Sequence, residues 1–346
     1  MKSALRANVT SCTTFVVSLS NYRPVGTHLH NCQGHLKIGE CKRMSWMLEN
    51  DSGQSHGSRL RELIESGESL SVPGVYNPLS AMMARRIGFD ALYFSGAAFS
   101  ASLGIPDIGL FTLDELTVAL RWMVKASNMP FIVDADTGFG EALNVVRTVK
   151  DLEEAGAAAI QIEDQVLPKR CGHLDGKIVI SAKAFAEKIS AAAGARKDTL
   201  IVARTDVRAI EGMESAIQRG MMCREAGADI IFPEAMQSED EFRTYAKAVG
   251  GPMLANMTEF GKTPYLSTGE FRELGFQIVI FPVTTLRVAN KITEEVLIDI
   301  KNKGTQVDWV DRMQTRRELY ELIDYEGYLD IDAQLAFNKR PDSPGT

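Results

Sequence analysis

Residues 131–164 read FIVDADTGFGEALNVVRTVKDLEEAGAAAIQIED. A short apolar run from Phe131 to Asp136 is followed by a helical pattern from Glu141 to Ala155, then by Gly156, then by a second apolar run from Ala159 to Glu163. That order is one strand–helix–strand repeat, whose two strands lie parallel. Gly156 stands where the helix closes, a position that favours left-handed backbone and therefore glycine.

The same unit recurs on both sides. Strands are expected at Leu70–Tyr76, Ala91–Ser95, Phe131–Asp136, Ala159–Glu163, Leu200–Thr205, Ile230–Glu234, Met253–Met257 and Ile278–Pro282, with a further helix at Thr112–Ala126. Gly88, Gly227 and Gly275 repeat the punctuation of Gly156. Eight parallel strands with intervening helices predict an α/β fold of the (β/α)8 TIM-barrel type. An open doubly wound sheet would carry a G-x-G-x-x-G after its first strand, and none follows Tyr76. The expected organisation is one catalytic barrel over residues 47–346 with a C-terminal helical segment.

Residues 1–46 differ in kind. They hold six Lys/Arg and one acid, Glu40, so they carry +5 of a total charge of −7 and leave −12 for the rest. No helical or strand period is sustained there, so a poorly ordered extension is expected. It is read as translated upstream sequence with Met44 or Met47 as the natural start, an organellar transit peptide being the alternative. Zinc is set aside, because His28, His30, Cys32, His35 and Cys41 lack paired ligand spacing.

With 45 acids against 38 bases, the 346-residue chain offers no basic face for nucleic acid. No apolar run reaches about 18 residues, so no helix is expected to span a membrane. Five sparse cysteines argue against a disulfide framework and for a reducing compartment. The cytoplasm is expected, or the mitochondrial matrix if residues 1–46 are a transit peptide.

Polar residues gather where the strands end: Ser95 and Gly96, Asp134 and Asp136, Glu163 and Asp164, Arg204 and Asp206, Glu234, Asn256 and Thr258. In a barrel these ends surround one mouth. Asp134 and Asp136 alternate along a strand, which points both carboxylates to one side; magnesium suits such a pair, although strand-end capping is the alternative. Arg204, Arg287 and Arg316 supply planar forks for a polyanionic substrate, the latter two being equally suited to salt bridges. In Pro168–Lys177, Cys171 lies among Lys169, Arg170 and His173, whose charge is expected to lower the thiol's pKa toward neutrality. Gly172 and Gly176 suggest the freedom of a lid. Cys223, in a helical stretch, is expected to be a packed thiol.

At these residues the chain resembles the isocitrate lyase and phosphoenolpyruvate mutase superfamily, closest to its methylisocitrate lyase branch, over roughly Leu60–Leu329. The resemblance rests on Ser95-Gly96-Ala97, Val133–Gly140, Lys169-Arg170-Cys171-Gly172-His173, Ala203-Arg204-Thr205-Asp206, Phe232-Pro233-Glu234-Ala235, Asn256–Gly261 and Met313–Arg316. It implies magnesium, or manganese, on Asp134 and Asp136, with Asp107 and Glu163 supporting its waters. Cys171 would be the catalytic thiol, with Lys169 and His173 beside it and Tyr93 as a candidate base. Ser95, Gly96, Ala97, Gly172, Arg204, Glu234, Asn256, Thr258, Arg287 and Arg316 would bind substrate, while Phe232 and Ile280 would border a methyl pocket.

The implied reaction is a retro-aldol-type cleavage of 2-methylisocitrate to pyruvate and succinate, as in the methylcitrate cycle of propionate catabolism. The implied assembly is a homotetramer that swaps C-terminal helices. Cleavage of 2,3-dimethylmalate or hydrolysis of oxaloacetate are the neighbouring activities. Phosphonate P–C chemistry is disfavoured by the Lys-Arg-Cys-Gly-His loop, and a non-catalytic barrel by the full set of site residues. Ala97 stands where the family pattern has a third-position glycine, and Ile280 where a leucine is more usual.

Overall fold

The computed structural model describes residues 53–174 and 176–337, so the expectation for residues 1–46 lies outside the described residues. The first half of the barrel comprises α1 (His56–Glu65), β1 (Leu70–Val75), α2 (Pro78–Ile87), β2 (Leu92–Phe94), α3 (Gly96–Ser102), α4 (Leu113–Ser127), β3 (Phe131–Asp134), α5 (Ala142–Glu154) and β4 (Ala159–Glu163). The second half comprises α6 (Ala182–Ala195), β5 (Leu200–Thr205), α7 (Arg208–Glu211), α8 (Met213–Glu225), β6 (Ile230–Pro233), α9 (Glu239–Val249), β7 (Leu254–Asn256), α10 (Thr268–Glu273) and β8 (Ile278–Phe281). After it come α11 (Thr284–Lys303), a 3-10 turn at Val307–Arg312, α12 (Arg316–Leu322) and α13 (Tyr325–Phe337). None of the described helices is long and apolar enough to cross a membrane.

All pairings between the described barrel strands are parallel, in the order β6-β5-β4-β3-β2-β1-β8-β7. The remaining seam is joined by one bridge between Ile231 and Met253, where the Ile231 N–H donates to the Pro252 carbonyl at 3.1 Å, so the sheet is a nearly closed barrel. All eight expected strands form; β4 and β5 keep their expected bounds and the other six are shorter by one or two residues.

Alternation along the strands sorts the core into two layers. Val72, Tyr93, Ile132, Val202, Phe232 and Ile280 fill the barrel interior, while Phe94, Phe131, Val133, Ile160 and Ile162 face the helices with Val145, Val149 and Leu152 of α5. Helix α1 sends Leu60 and Ile64 into the interior layer and closes the amino-terminal end, its first turn capped by Ser55, which accepts from the Ser58 amide. The expected left-handed glycines are in place, with φ of +101° at Gly88, +102° at Gly156, +104° at Gly227 and +97° at Gly275. Cys223 is buried in the outer layer, as expected of a packed thiol.

Register sets the mouth. Asp134 pairs with Gln161, and two residues further along β4 Glu163 pairs with Arg204, so polar groups from β3, β4 and β5 stand at two successive levels of the mouth. One expectation is corrected: β3 ends at Asp134, and Asp136 lies beyond it with φ of +48°, so strand alternation does not aim its side chain. The turn does so instead, with the Gly138 amide donating to the Ala135 carbonyl and the Glu163 amide to that of Asp136.

Candidate active site

The carboxylate pair is built against the start of α3. Ser95 caps that helix by accepting from the Ala98 amide, and the Gly96 amide donates to Asp134 Oδ2 at 3.3 Å. A Cβ on Gly96 would stand 3.1 Å from Asp134 Oδ2 and 3.3 Å from Asp136 Oδ1, so both carboxylates crowd one glycine. Asp134 Oδ1 also accepts from Gln161 Nε2 at 3.0 Å and from the Asp136 amide at 3.2 Å. Ala97 packs beside Val283 and Leu286.

Tyr93 is not suited to be a base in this setting. Its hydroxyl donates to Gln161 Oε1 at 2.9 Å, and burial, followed by the charge of Asp134, raises its pKa well above the usual phenol value. The resemblance made Tyr93 a candidate base; in the interior layer it is a donor that steadies Gln161 and, through it, Asp134.

Asp136 and Asp107 share Lys169, whose Nζ lies 2.6 Å from Asp136 Oδ1 and 2.5 Å from Asp107 Oδ1. Burial raises Asp136 to about 7, with Lys169 lowering it and Asp134 raising it. Both oxygens of Asp136 and both of Glu163 are buried without a hydrogen-bond partner, the Lys169 contact being an ion pair. Unsatisfied, buried carboxylate oxygens fit a hard divalent cation. Among the described residues no three His, Cys, Asp or Glu side chains gather as a ready ligand set. Magnesium needs only one or two carboxylates, because it keeps several waters.

Arg204 occupies the next strand end. Its Nε donates to Asp206 Oδ2 at 3.0 Å and lies 3.4 Å from Glu163 Oε2, its Nη2 is 3.7 Å from Glu234 Oε2, and its guanidinium sits 5.3 Å above the Phe232 ring. Asn256 Nδ2 donates to Glu234 at 3.2 Å, and His173 Nε2 lies 2.8 Å from its other oxygen. His173 Nδ1 accepts from the Lys262 amide at 2.9 Å, which leaves the ring proton on Nε2, facing Glu234. Burial alone would raise Glu234, but Arg204 and His173 outweigh it and hold the carboxyl at about 2. Thr258 is buried at the end of the adjoining segment, and Ile280 with Phe232 lines the interior below.

The thiol segment folds down onto these groups. Gln165 clamps it by accepting from the Arg170 amide at 2.9 Å and donating to its carbonyl at 2.8 Å. A Cβ on Gly172 would stand 2.3 Å from Glu234 Cγ and 2.5 Å from Arg204 Nη2. Gly172 therefore serves close approach, and Gly176, with φ of +79°, serves a turn against the Arg170 guanidinium; neither is explained by lid freedom alone.

The expected electropositive thiol is also corrected. Lys169 turns to Asp136 and His173 to Glu234, so neither is directed at the sulfur. Cys171 is exposed at the surface of the mouth, yet enough protein surrounds its sulfur that burial, with Glu234 and Asp107 opposing Arg204, pushes its thiol up.

Two expected arginines stand apart from this cluster. Arg287 Nη1 donates to the Glu259 carbonyl at 3.1 Å, and its guanidinium lies 5.2 Å from the exposed Phe260 ring. Arg316 opens α12, is exposed, and belongs to a helix that packs Leu322 on Met82 of α2. Glu318, in the first turn of the same helix, feels Arg86 in the last turn of α2. Gln161, Lys177 and Asp206 carry bonds that sequence reasoning did not assign; a glutamine inside an apolar strand was the one available signal.

Residues 60–301 match the sequence profile of the family described as Phosphoenolpyruvate phosphomutase. The chain is 58% identical over 280 residues to 2-methylisocitrate lyase of Aeropyrum pernix, spanning 81% of this chain and 91% of that protein. It superposes on a crystal structure of 2,3-dimethylmalate lyase with a TM-score of 0.77 at 36% identity, covering 84% of this chain and 99% of the other. Phosphonopyruvate hydrolase, solved in complex with oxalate and Mg2+, superposes with a TM-score of 0.74 at 28% identity over 81% and 99% of the two chains.

Proposed function

The chain belongs to the phosphoenolpyruvate phosphomutase family, and on that premise we propose that it is a carbon–carbon lyase that cleaves 2-methylisocitrate to pyruvate and succinate. The observation that supports this most is the attachment of one short segment at both ends of its thiol. Lys169 is paired with Asp136, and Gly172 lies against Arg204 and Glu234, so Cys171 is set between the carboxylate pair and the guanidinium. A small polyanion between them meets a metal-type site on one side and a proton donor on the other.

Asp134 and Asp136 are the residues that would hold magnesium, or manganese, with Glu163 and Asp107 placed to hold its waters. Bound there, the ion would act as a Lewis acid toward the 2-hydroxyl and its neighbouring carboxylate. Gln161, itself held by Tyr93, fixes Asp134 Oδ1. Ser95, Gly96 and Ala97 form the wall beside the reacting hydroxyl, and Asn256, Thr258 and Glu234 orient the remaining carboxylates together with Arg204.

As the 2-hydroxyl gives its proton to water in the mouth and its oxygen becomes the pyruvate carbonyl, the electron pair of the carbon–carbon bond passes to the carbon beside a carboxylate, and Arg204 offers fixed positive charge where negative charge develops. The raised thiol of Cys171 is protonated at neutral pH and gives its proton to that carbon, completing succinate. Phe232 and Ile280 border the methyl group. Assembly is assigned to α11, where Leu286 is buried but Val288, Leu297, Ile298 and Ile300 are exposed; a homotetramer that swaps C-terminal helices would cover them.

The test is steady-state turnover by the purified full chain, with Mg2+, of 2-methylisocitrate, 2,3-dimethylmalate, oxaloacetate and phosphonopyruvate. The highest kcat/KM is expected for 2-methylisocitrate, with pyruvate and succinate formed one to one and turnover lost on chelation and restored by Mg2+. A higher kcat/KM for one of the other acids would overturn the substrate assignment.

A further inference from the structure

Lys177 takes no part in the chemistry above, yet its side chain is only 1% exposed at the mouth. Its Nζ donates to Asp206 Oδ1 at 2.9 Å and to the carbonyl of Gly172, the residue after the thiol. Asp206 is also the partner of Arg204, taking Nε on Oδ2 at 3.0 Å and Nη2 on Oδ1 at 3.3 Å. From below, the Asp206 amide donates to Asp164 Oδ1 at 2.9 Å, and Asp164 Oδ2 accepts from Thr205 Oγ1 at 2.6 Å and Arg219 Nη1 at 3.1 Å. One carboxylate, braced from beneath, thus holds two cations, one reaching up to the loop and one facing the substrate space.

A buried Lys–Asp pair is by itself a weak source of stability, because desolvation offsets its attraction. The third bond gives this pair a direction. Gln165 ties the segment to its own stem at Arg170, before the thiol; Lys177 ties it to the end of β5, after the thiol. Removing the first clamp would leave the far side of Cys171 held. Removing the second would release Gly172 from the wall formed by Arg204 and Glu234.

We propose that Lys177 is a positioning residue for the reaction: by bridging the Gly172 carbonyl to Asp206, it holds the Cys171 segment closed over the substrate and ties that closure to the setting of Arg204. The proposal rests on the lyase reading for its kinetic consequence, but not for its structural one.

Both consequences are read in the full chain carrying Lys177→Met, which removes the ammonium. Because a reacting group displaced by about 1 Å can cost on the order of a hundred-fold, kcat for 2-methylisocitrate should fall by about that factor while KM changes far less. Alkylation of Cys171 by iodoacetamide, followed by mass spectrometry of its peptide, should quicken about tenfold at every pH, as expected for freer local opening. A change in thiol pKa would instead slide the pH profile sideways. Lys177→Arg, which restores a cationic donor, should recover part of the lost kcat and of the protection.

If Lys177→Met fails to fold, Lys177→Gln, which keeps a donor and drops the charge, carries the same expectation. A folded variant with kcat and alkylation both at wild-type values would overturn the proposal, as would a sideways pH shift alone. If the wild-type chain itself fails to turn over 2-methylisocitrate, the lyase reading falls, and the alkylation measurement still decides whether Lys177 holds the loop.

Discussion

At Cys171 the balance of burial and charge fixes which partner in a proton transfer the sulfur can be. Counting Lys169, Arg170 and His173 along the chain predicts a thiol whose pKa falls toward neutrality, but a side chain already engaged by Asp136 or Glu234 no longer acts on its neighbour in sequence. What remains favours the protonated thiol, the form that donates. Cys171→Ser should therefore lower kcat by about 10²- to 10⁴-fold, the usual range for loss of general acid catalysis. Magnesium and succinate binding, followed by calorimetry, should stay near wild type; turnover within a few-fold of wild type would remove the thiol from the reaction.

Glu234 gives a second test at this scale. Its carboxyl is held at about 2 against an ordinary 4.5, so the unfolded chain binds the proton more readily and ionised Glu234 favours the fold. That contribution, on the order of 3 kcal/mol, is fully present above about pH 4.5 and is lost as pH falls toward 2. Urea midpoints taken between pH 6 and pH 3 should decline less steeply for Glu234→Gln than for wild type; equal slopes would show that the carboxylate is not stabilised by Arg204 and His173.

Within single elements, periodicity reports which face a residue takes but not where a ladder stops. The strands were legible because each is a short apolar run, and β2, β4, β6 and β8 are announced by a helix-ending glycine, as Gly156 announces β4. The turn after β3 was not, since the left-handed backbone at Asp136 has no glycine to mark it. Gly172 was legible as a glycine but misread in purpose: space, and not φ, demands it. Gly172→Ala would set a methyl 2.3 Å from Glu234 Cγ and must lift the segment. Its kcat should fall about a hundred-fold, since the thiol moves away from the reacting carbon, with little change in Tm because the barrel layers are untouched. A variant with wild-type kcat would mean that the segment does not close this way in turnover.

For the molecule as a whole, the eight-fold repeat was written in the sequence, whereas the network that ties one strand end to another was not. Gln161, Asp206 and Lys177 act through partners 27 to 29 residues away, and no local pattern reports such a pairing. Assembly is of the same kind: α11 has a single buried residue, Leu286, in twenty, yet exposes Val288, Leu297, Ile298 and Ile300. A surface depression of about 420 Å³ on it is lined by Asn290, Thr293, Glu294, Leu297, Ile298 and Lys301. Exposed apolar side chains such as Leu297 and Ile298 in this depression favour burial against another chain, and closed symmetric assembly is the common outcome for identical copies. Sedimentation of the wild-type chain should therefore show a tetramer. Leu297→Lys together with Ile298→Lys would place charge in the contact and should yield smaller species with wild-type far-UV circular dichroism, because neither side chain supports the barrel core. A wild-type monomer, or a double variant that sediments unchanged, would remove α11 from the interface.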